Sequence, residues 1–353
     1  MSVQFDSSGA GVHLMGRPER DTPKPLPAND VDPVCQGIPC KVINSQLAPR
    51  PERDDPTKLA MNAGCAYQGS IVLGMGFTLT PEERDTLVKK NKCNAQRIFP
   101  YLGGQEVNTS PTQDFDRYVI SFGEMSLEEA EAWPDLLDVV REKVKPERDN
   151  NKRAVRKKYW WRFGETTPAL YTALAPLSRC LVTAQVTKHL CFSFQPTDRI
   201  FSEQLYVFPL DHYAAFAVLQ SRIHEVWAWL LSPTMKTDLR YAASDCFDTF
   251  PFPGGSPNNR DVTLEGAGQA LYDERAVVMR ECQIGLTKLY NDLPVRLQEL
   301  HLDMDRAVLD AYGWSDLHVP SWGEQDRGWE LEVVERLYEL NQRRSATCEI
   351  SNT

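Results

Sequence analysis

The stretch CLVTAQVTKHLCFSFQPTDRIFSEQLYVFPL (180–210) decides the reading of the fold. CLVTAQV (180–186), LCFSF (190–194) and QLYVFPL (204–210) are rich in β-branched and aromatic residues and short enough for strands. Directly after them the period changes. Asp211 caps a helix to Leu231 whose apolar stripe is Phe216, Leu219, Ile223, Val226, Trp227 and Leu230. Arg222, His224 and Glu225 inside this window mark it as a buried helix rather than a membrane span. Strands paired locally and then followed by helices predict an α+β architecture with mostly antiparallel, curved sheet.

Working outward toward the N-terminus, AYQGSIVLGMGFTLT (66–80) reads as strand–turn–strand. Thr80 and Pro81 then open a helix. RYVISFG (117–123) is a strand, and the capping box Ser126–Glu129 starts a helix running to about Lys145. Residues 1–57 are dense in Pro, Gly and Asp and carry RPERD twice, at 17–21 and 50–54. They read as a loop-rich N-terminal segment with short strands near Val12–Met15 and Cys40–Ile43. Toward the C-terminus, FDTFPFPGG (247–255) interrupts any helix, and 261–312 and 329–344 read as helices with an acidic exposed face. The expected divisions are 1–57, a sheet-containing domain at 58–255 and a small helical domain at 256–353.

Composition narrows the function classes. The chain has 353 residues, 42% hydrophobic and 25% charged, as in ordinary globular proteins. The N-terminus lacks the apolar run of a signal peptide, which points to the cytoplasm. Nine cysteines form no zinc-like spacing beyond the Cys35/Cys40 pair, and buried free thiols are expected. A net charge of −10 argues against a nucleic-acid partner until its distribution is read. Residues 141–200 hold 13 Lys/Arg against 5 Asp/Glu, whereas 256–353 hold 10 against 18. Phosphate contacts are local, so the basic middle segment is what matters. Lys145, Arg148, Lys152, Arg153, Arg156, Lys157, Lys158 and Arg162 fall within about one helix and its exit, interleaved with Tyr159, Trp160 and Trp161. Such a cluster neutralises phosphates without reading sequence. The two tryptophans are assigned to the core.

Eight strings occur in a distinctive order: YLGGQEVN (101–108), RYVISFG (117–123), VREKVKPERDNNKR (140–153), YWWRFGE (159–165), LVTAQVTKH (181–189), YAASDCFDTFPFP (241–253), LTKLYNDLP (286–294) and AVLDAYGW (307–314). This succession, from about Leu59 to Arg344, resembles the C-terminal half of MmeI-like and DISARM-type adenine DNA methyltransferases, a target-recognition domain followed by a short helical domain. The resemblance implies double-stranded DNA as partner, together with a methyltransferase domain or subunit, in bacterial restriction-modification or phage defence. It is compatible with the basic cluster, whose phosphate-contact candidates are Lys152, Arg153, Arg156, Lys157, Lys158 and Arg162. It also supplies base-contact candidates, Gln185, Lys188, His189, Arg199, Ser202 and Glu203, all residue types able to bond base edges. It makes YLGGQEVN a tight turn, and Tyr241, Ser244 and Phe247–Phe252 the packing boundary between the two domains.

Catalytic residues are not expected. The resemblance calls for a Gly-rich S-adenosylmethionine loop and an Asn-Pro-Pro-Tyr-type motif, yet the sequence contains no Pro-Pro dipeptide. Gly69–Gly76 lacks the following helix and acidic ribose partner of a cofactor loop. S-adenosylmethionine is therefore expected in the partner methyltransferase domain, in another chain or an upstream portion, and no cofactor or metal here. Pro134–Asp135 with Glu142 and Lys143 has the wrong spacing for a restriction nuclease, and no Gly-x-Ser-x-Gly elbow exists. A protein–protein module, a remnant or decoy recognition domain, is the alternative from a different class. A self-sufficient enzyme with an unrecognised site ranks last.

Overall fold

The computed structural model describes residues 54–232 and 238–346 in full, and the backbone course of 34–35, 38–39, 234–235 and 347–350. The chain divides into two units, Met1–Pro56 and Thr57–Thr353, and within the first Val34–Cys35 and Ile38–Pro39 pair antiparallel. The strands expected near Val12–Met15 and Cys40–Ile43 lie outside the described residues.

Thr57–Thr353 is the second unit, and it is α+β as the periodicities indicate. One four-stranded sheet runs in the order Ile200–Phe201, Ile98–Leu102, Arg117–Ile120, Thr78–Leu79, with only its first pairing parallel. A second, wholly antiparallel, has the order Tyr67–Gln68, Leu205–Phe208, Arg179–Ala184, Ser193–Pro196. A third joins Thr234–Met235, Asp238–Arg240 and Val186–Thr187. The 66–80 stretch does not fold back on itself as a strand–turn–strand; Tyr67–Gln68 and Thr78–Leu79 belong to different sheets.

The two four-stranded sheets each have a helical cover. Leu136, Leu137 and Val140 of the Pro134–Lys143 helix pack with Phe77, Val119, Ile120, Trp160 and Trp161 on the first sheet. Trp161 donates Nε1–H to the Met125 carbonyl at 3.0 Å, so both tryptophans are core residues as expected. Over the second sheet lie helices Tyr213–Gln220 and Arg222–Leu231, with Val262–Cys282, Val295–Tyr312 and Arg327–Ile350 around them. One hydrophobic cluster continues from Leu181, Phe194 and Phe208 through Phe216 and Trp227 to Leu271, Met304 and Leu337. Tyr241, Phe247, Phe250 and Phe252 are fully or almost fully buried in it. Ser244, grouped with them from the sequence, is exposed and bonds only its neighbour Asp245.

Several helices are shorter than the apolar pattern suggests. The 211–231 helix is two helices, because Ser221 is extended and caps the second one, accepting from the His224 N–H at 3.4 Å. A serine hydroxyl competes with the helix ladder for backbone groups. His212, rather than Asp211, caps the first helix through Nδ1, which accepts from the Ala215 N–H at 3.1 Å. The capping box at Ser126 is present, but its helix ends at Ala130. Pro134 lacks an N–H and restricts Trp133, so the chain starts a new helix there. YLGGQEVN is likewise no tight turn: strand Ile98–Leu102 runs into a helix, Gly104–Thr109. Its Glu106 carboxylate accepts from the Gly103 N–H at 3.1 Å and from Arg117 at 2.5 Å.

Candidate nucleic-acid interface

The basic segment is not one helix but two short ones, Lys145–Asp149 and Ala154–Lys158, separated by Asn150–Arg153. This break sorts the cations. Arg148 turns inward, 1% exposed, and donates to the carbonyls of Val72 and Leu73 at 3.1 and 3.0 Å. Lys145 pairs with Asp149. Lys152, Arg153, Lys157 and Lys158 are exposed, Arg156 is half-buried, and none of the five has an ion pair among the described residues. Unpaired exposed cations in one short stretch suit phosphate binding, since no internal bridge must break first. Arg162 differs, because it pairs with Glu124 at 3.1 Å and lies over the Tyr159 ring. It holds the exit of the segment in place rather than standing free.

That exit is tied directly to the base-contact candidates. Ile71 and Glu165 exchange both backbone hydrogen bonds at 3.0 and 3.1 Å. The adjacent Ser70 N–H donates to the Phe201 carbonyl at 2.7 Å, and its own carbonyl accepts from Glu203 N–H at 3.0 Å. Residues 70–71 thus form a two-sided bridge between the basic segment and 201–203. The glycines flanking this bridge serve packing: a Cβ at Gly69 would lie 2.1 Å from the Ser202 carbonyl oxygen, and one at Gly76 2.7 Å from Val144. Both glycines are thus used in close backbone and side-chain packing.

The six base-contact candidates divide by burial. Gln185 sits where the chain leaves Arg179–Ala184 and crosses to the third sheet; its N–H donates to the Gln204 carbonyl at 2.7 Å and its carbonyl accepts from Tyr241 at 2.8 Å. Its side chain is half-buried. Lys188 is exposed and His189 half-buried, and both reach Asn291. Glu203 is half-buried and accepts from the Ser202 hydroxyl at 3.1 Å. Arg199 lies inside, its guanidinium held by Gln195 at 3.0 Å with Asp198 and Asp114 beyond. Ser202 is buried too, and its hydroxyl accepts from the Gln204 N–H at 3.3 Å. Gln185, Lys188, His189 and Glu203 therefore have surface to offer, whereas Arg199 and Ser202 hold the loop that presents Glu203.

Three further polar side chains join the cluster. Gln204 and Gln68 are exposed, and Gln68 Nε2 donates to the Glu203 carbonyl at 2.9 Å. Arg240 is exposed, pairs in register with Val186, and has no ion pair among the described residues. Gln204 stood at the edge of the stretch already singled out. Arg240 gave no such signal, because its place beside Gln185 depends on a strand pairing across more than fifty residues.

Two residues of the nuclease-like arrangement in the sequence are engaged elsewhere. Asp135 is paired with Lys90 at 2.6 Å, which holds its carboxyl below the usual range, and Lys143 is paired with Glu83. Asp135 and Lys143 thus serve separate ion pairs. Among the described residues no group of His, Cys, Asp and Glu could hold a metal ion. Cys180, Cys191 and Cys246 are buried free thiols, each pushed up to about 12 by burial. No described helix is long and apolar enough to cross a membrane.

A family model described as the MmeI target recognition domain matches residues 59–254, more than half of the chain. The chain belongs to this family. Its match begins at the buried Leu59 and ends just after the aromatic cluster at Phe247–Phe252. DNA methyltransferase A of Bacillus subtilis (strain 168) is 28% identical over 183 residues, covering 51% of this chain and 19% of that protein. The fold also resembles the solved Type IIL restriction-modification enzyme MmeI, determined in complex with DNA, with a TM-score of 0.63 at 18% identity. That likeness covers 87% of this chain and 39% of MmeI. The chain thus spans about a fifth of the curated relative and two-fifths of the solved one. The structural likeness extends well beyond the 59–254 family match, as expected if the helices after Pro253 share the MmeI arrangement.

Proposed function

We propose that this chain is the sequence-specific DNA-recognition module of a bacterial restriction-modification or phage-defence adenine-N6 methyltransferase. The observation that carries the reading is the backbone bridge at Ser70–Ile71, which ties five unpaired cations to a cluster of base-reading side chain types. Lys152, Arg153, Arg156, Lys157 and Lys158 would neutralise phosphates and set the register. Gln185, Lys188, His189 and Glu203, with Gln68, Gln204 and Arg240 beside them, would meet base edges. Glutamine suits adenine, arginine and lysine suit guanine, and glutamate accepts from cytosine. Membership of a target recognition family and the likeness to an enzyme solved with DNA support this division of labour.

Methyl transfer would come from a methyltransferase domain in another chain or an upstream portion, which would also hold the S-adenosylmethionine. The complex would work in the cytoplasm. Binding to a randomised duplex library, measured for the chain alone and with its methyltransferase partner, tests the reading. Selective retention of a short motif is the expected result. Failure to retain any duplex in either condition overturns it.

A further inference from the structure

The structure assigns to Asn291, 37 residues beyond the family match, the role of a positioning residue for Lys188 and His189; the assignment rests on the proposed recognition of DNA. Asn291 ends the Leu286–Asn291 helix and lies within the LTKLYNDLP string (286–294), where no base-contact role was expected of it. Its Oδ1 lies 2.6 Å from Lys188 Nζ and 2.9 Å from His189 Nε2.

The chemistry of these two contacts is constrained. A lysine ammonium can only donate, so the atom facing it must be the amide oxygen rather than the nitrogen. That oxygen cannot donate to His189. The imidazole must therefore carry its proton on Nε2, which leaves Nδ1 of the neutral ring as an acceptor. One asparagine oxygen thus does two things. It fixes the flexible lysine stem while leaving two ammonium N–H groups free, and it sets the histidine tautomer. Lys188 then presents a donor beside an imidazole that, in its neutral form, turns an acceptor outward from the shared oxygen, a pattern able to tell base edges apart in a major groove.

The platform beneath Asn291 is rigid. Leu286 and Leu289 are each 1% exposed. Gly285 starts the helix against the Gly104–Thr109 helix so closely that a Cβ there would lie 2.3 Å from the Thr109 carbonyl carbon. Tyr290 stands beside the His189 ring with centroids 6.1 Å apart, and its hydroxyl bonds His301 Nε2 at 2.9 Å. Preorganisation by a fixed neighbour spares the readers an ordering cost on binding. Base preference is then set partly outside the recognition domain, by the helical region.

Library selection with Lys188→Ala, His189→Ala, Asn291→Leu and Asn291→Asp, each in the full 353-residue chain, tests the assignment. Asn291→Leu removes the acceptor at similar size; Asn291→Asp keeps an oxygen for both donors. Lys188→Ala or His189→Ala is expected to erase the preference at one base pair. Asn291→Leu should erase the same preference and weaken the selected duplex about fivefold, the worth of one hydrogen bond. Its salt dependence and its affinity for random duplex should be unchanged, and Asn291→Asp should retain the wild-type preference. A merely structural asparagine would lower affinity for all duplexes alike. The assignment is overturned if Asn291→Leu keeps the preference that Lys188→Ala loses, or if neither Lys188→Ala nor His189→Ala alters selection by a chain that still binds selectively. In both cases DNA recognition itself stands. If wild type selects no duplex, the recognition reading fails, and this assignment with it.

Discussion

Replacing Arg153, Arg156 and Lys157 together by alanine should change how DNA binding depends on salt in a calculable way. Arg153 and Lys157 are exposed, Arg156 is half-buried, and all three lack ion pairs among the described residues. Burial holds the Arg148 guanidinium below its usual range and the nearby Arg156 charge adds to this, so removing Arg156 relieves a repulsion. The substitutions should therefore leave folding stability within about 0.5 kcal/mol, as for surface sites generally. Binding is a different matter. Each phosphate neutralised contributes about 0.9 to the slope of log affinity against log salt. Losing three contacts should flatten the slope by about 2.7 units. Over a fourfold rise in salt, from about 50 to about 200 mM, the gap between wild type and variant should shrink by about 40-fold. Fluorescence anisotropy with a labelled duplex at four or five salt concentrations measures both slopes. An unchanged slope would show that these side chains do not meet phosphates, whatever the variant does to affinity at one salt concentration.

Two further outcomes test the framework that holds the interface. Asp305 is fully buried and accepts from Arg222 Nε at 2.6 Å and from the Arg222 N–H at 3.0 Å; Asp305→Ala leaves that guanidinium largely enclosed, and urea unfolding should show a loss of about 3–5 kcal/mol, whereas a loss below about 1 kcal/mol would contradict the pairing. His301 and His224 are buried and held neutral, their pKa lowered by burial from 6.5 to about 3. The unfolded chain then binds more protons between pH 6.5 and 3, so stability is complete above pH 6.5 and is lost as pH falls. His301→Gln should make the decline between about pH 6.5 and about pH 5 shallower by up to about 1.4 kcal/mol per pH unit, and an identical slope would refute the buried neutral state.

What the sequence determined by itself was the local and the periodic. The strands at Arg179–Ala184 and Leu205–Phe208 were legible because strand-forming apolar residues persist over one strand's length. The caps at Thr80 and Ser126 follow from chemistry confined to four residues. The basic run of 152–158 is visible as composition, and the ordered strings point to the family that the match at 59–254 establishes. Helix ends were less legible, since Ser221 breaks its helix in company with Asp305, a residue 84 positions away whose carboxylate takes the Arg222 N–H. Only the tertiary structure decided which polar residues face out. Arg148 and Arg162 look in sequence like their free neighbours, yet one is buried under Val72 and the other is bound to Glu124. Arg199 and Ser202 turn inward, while Arg240 and Asn291 are brought to Gln185, Lys188 and His189 by pairings that no local pattern encodes. The physical reason is that a charge or amide has the same intrinsic chemistry wherever it stands in a sequence. Its solvent, its partner and its direction are set by segments that meet it only after folding.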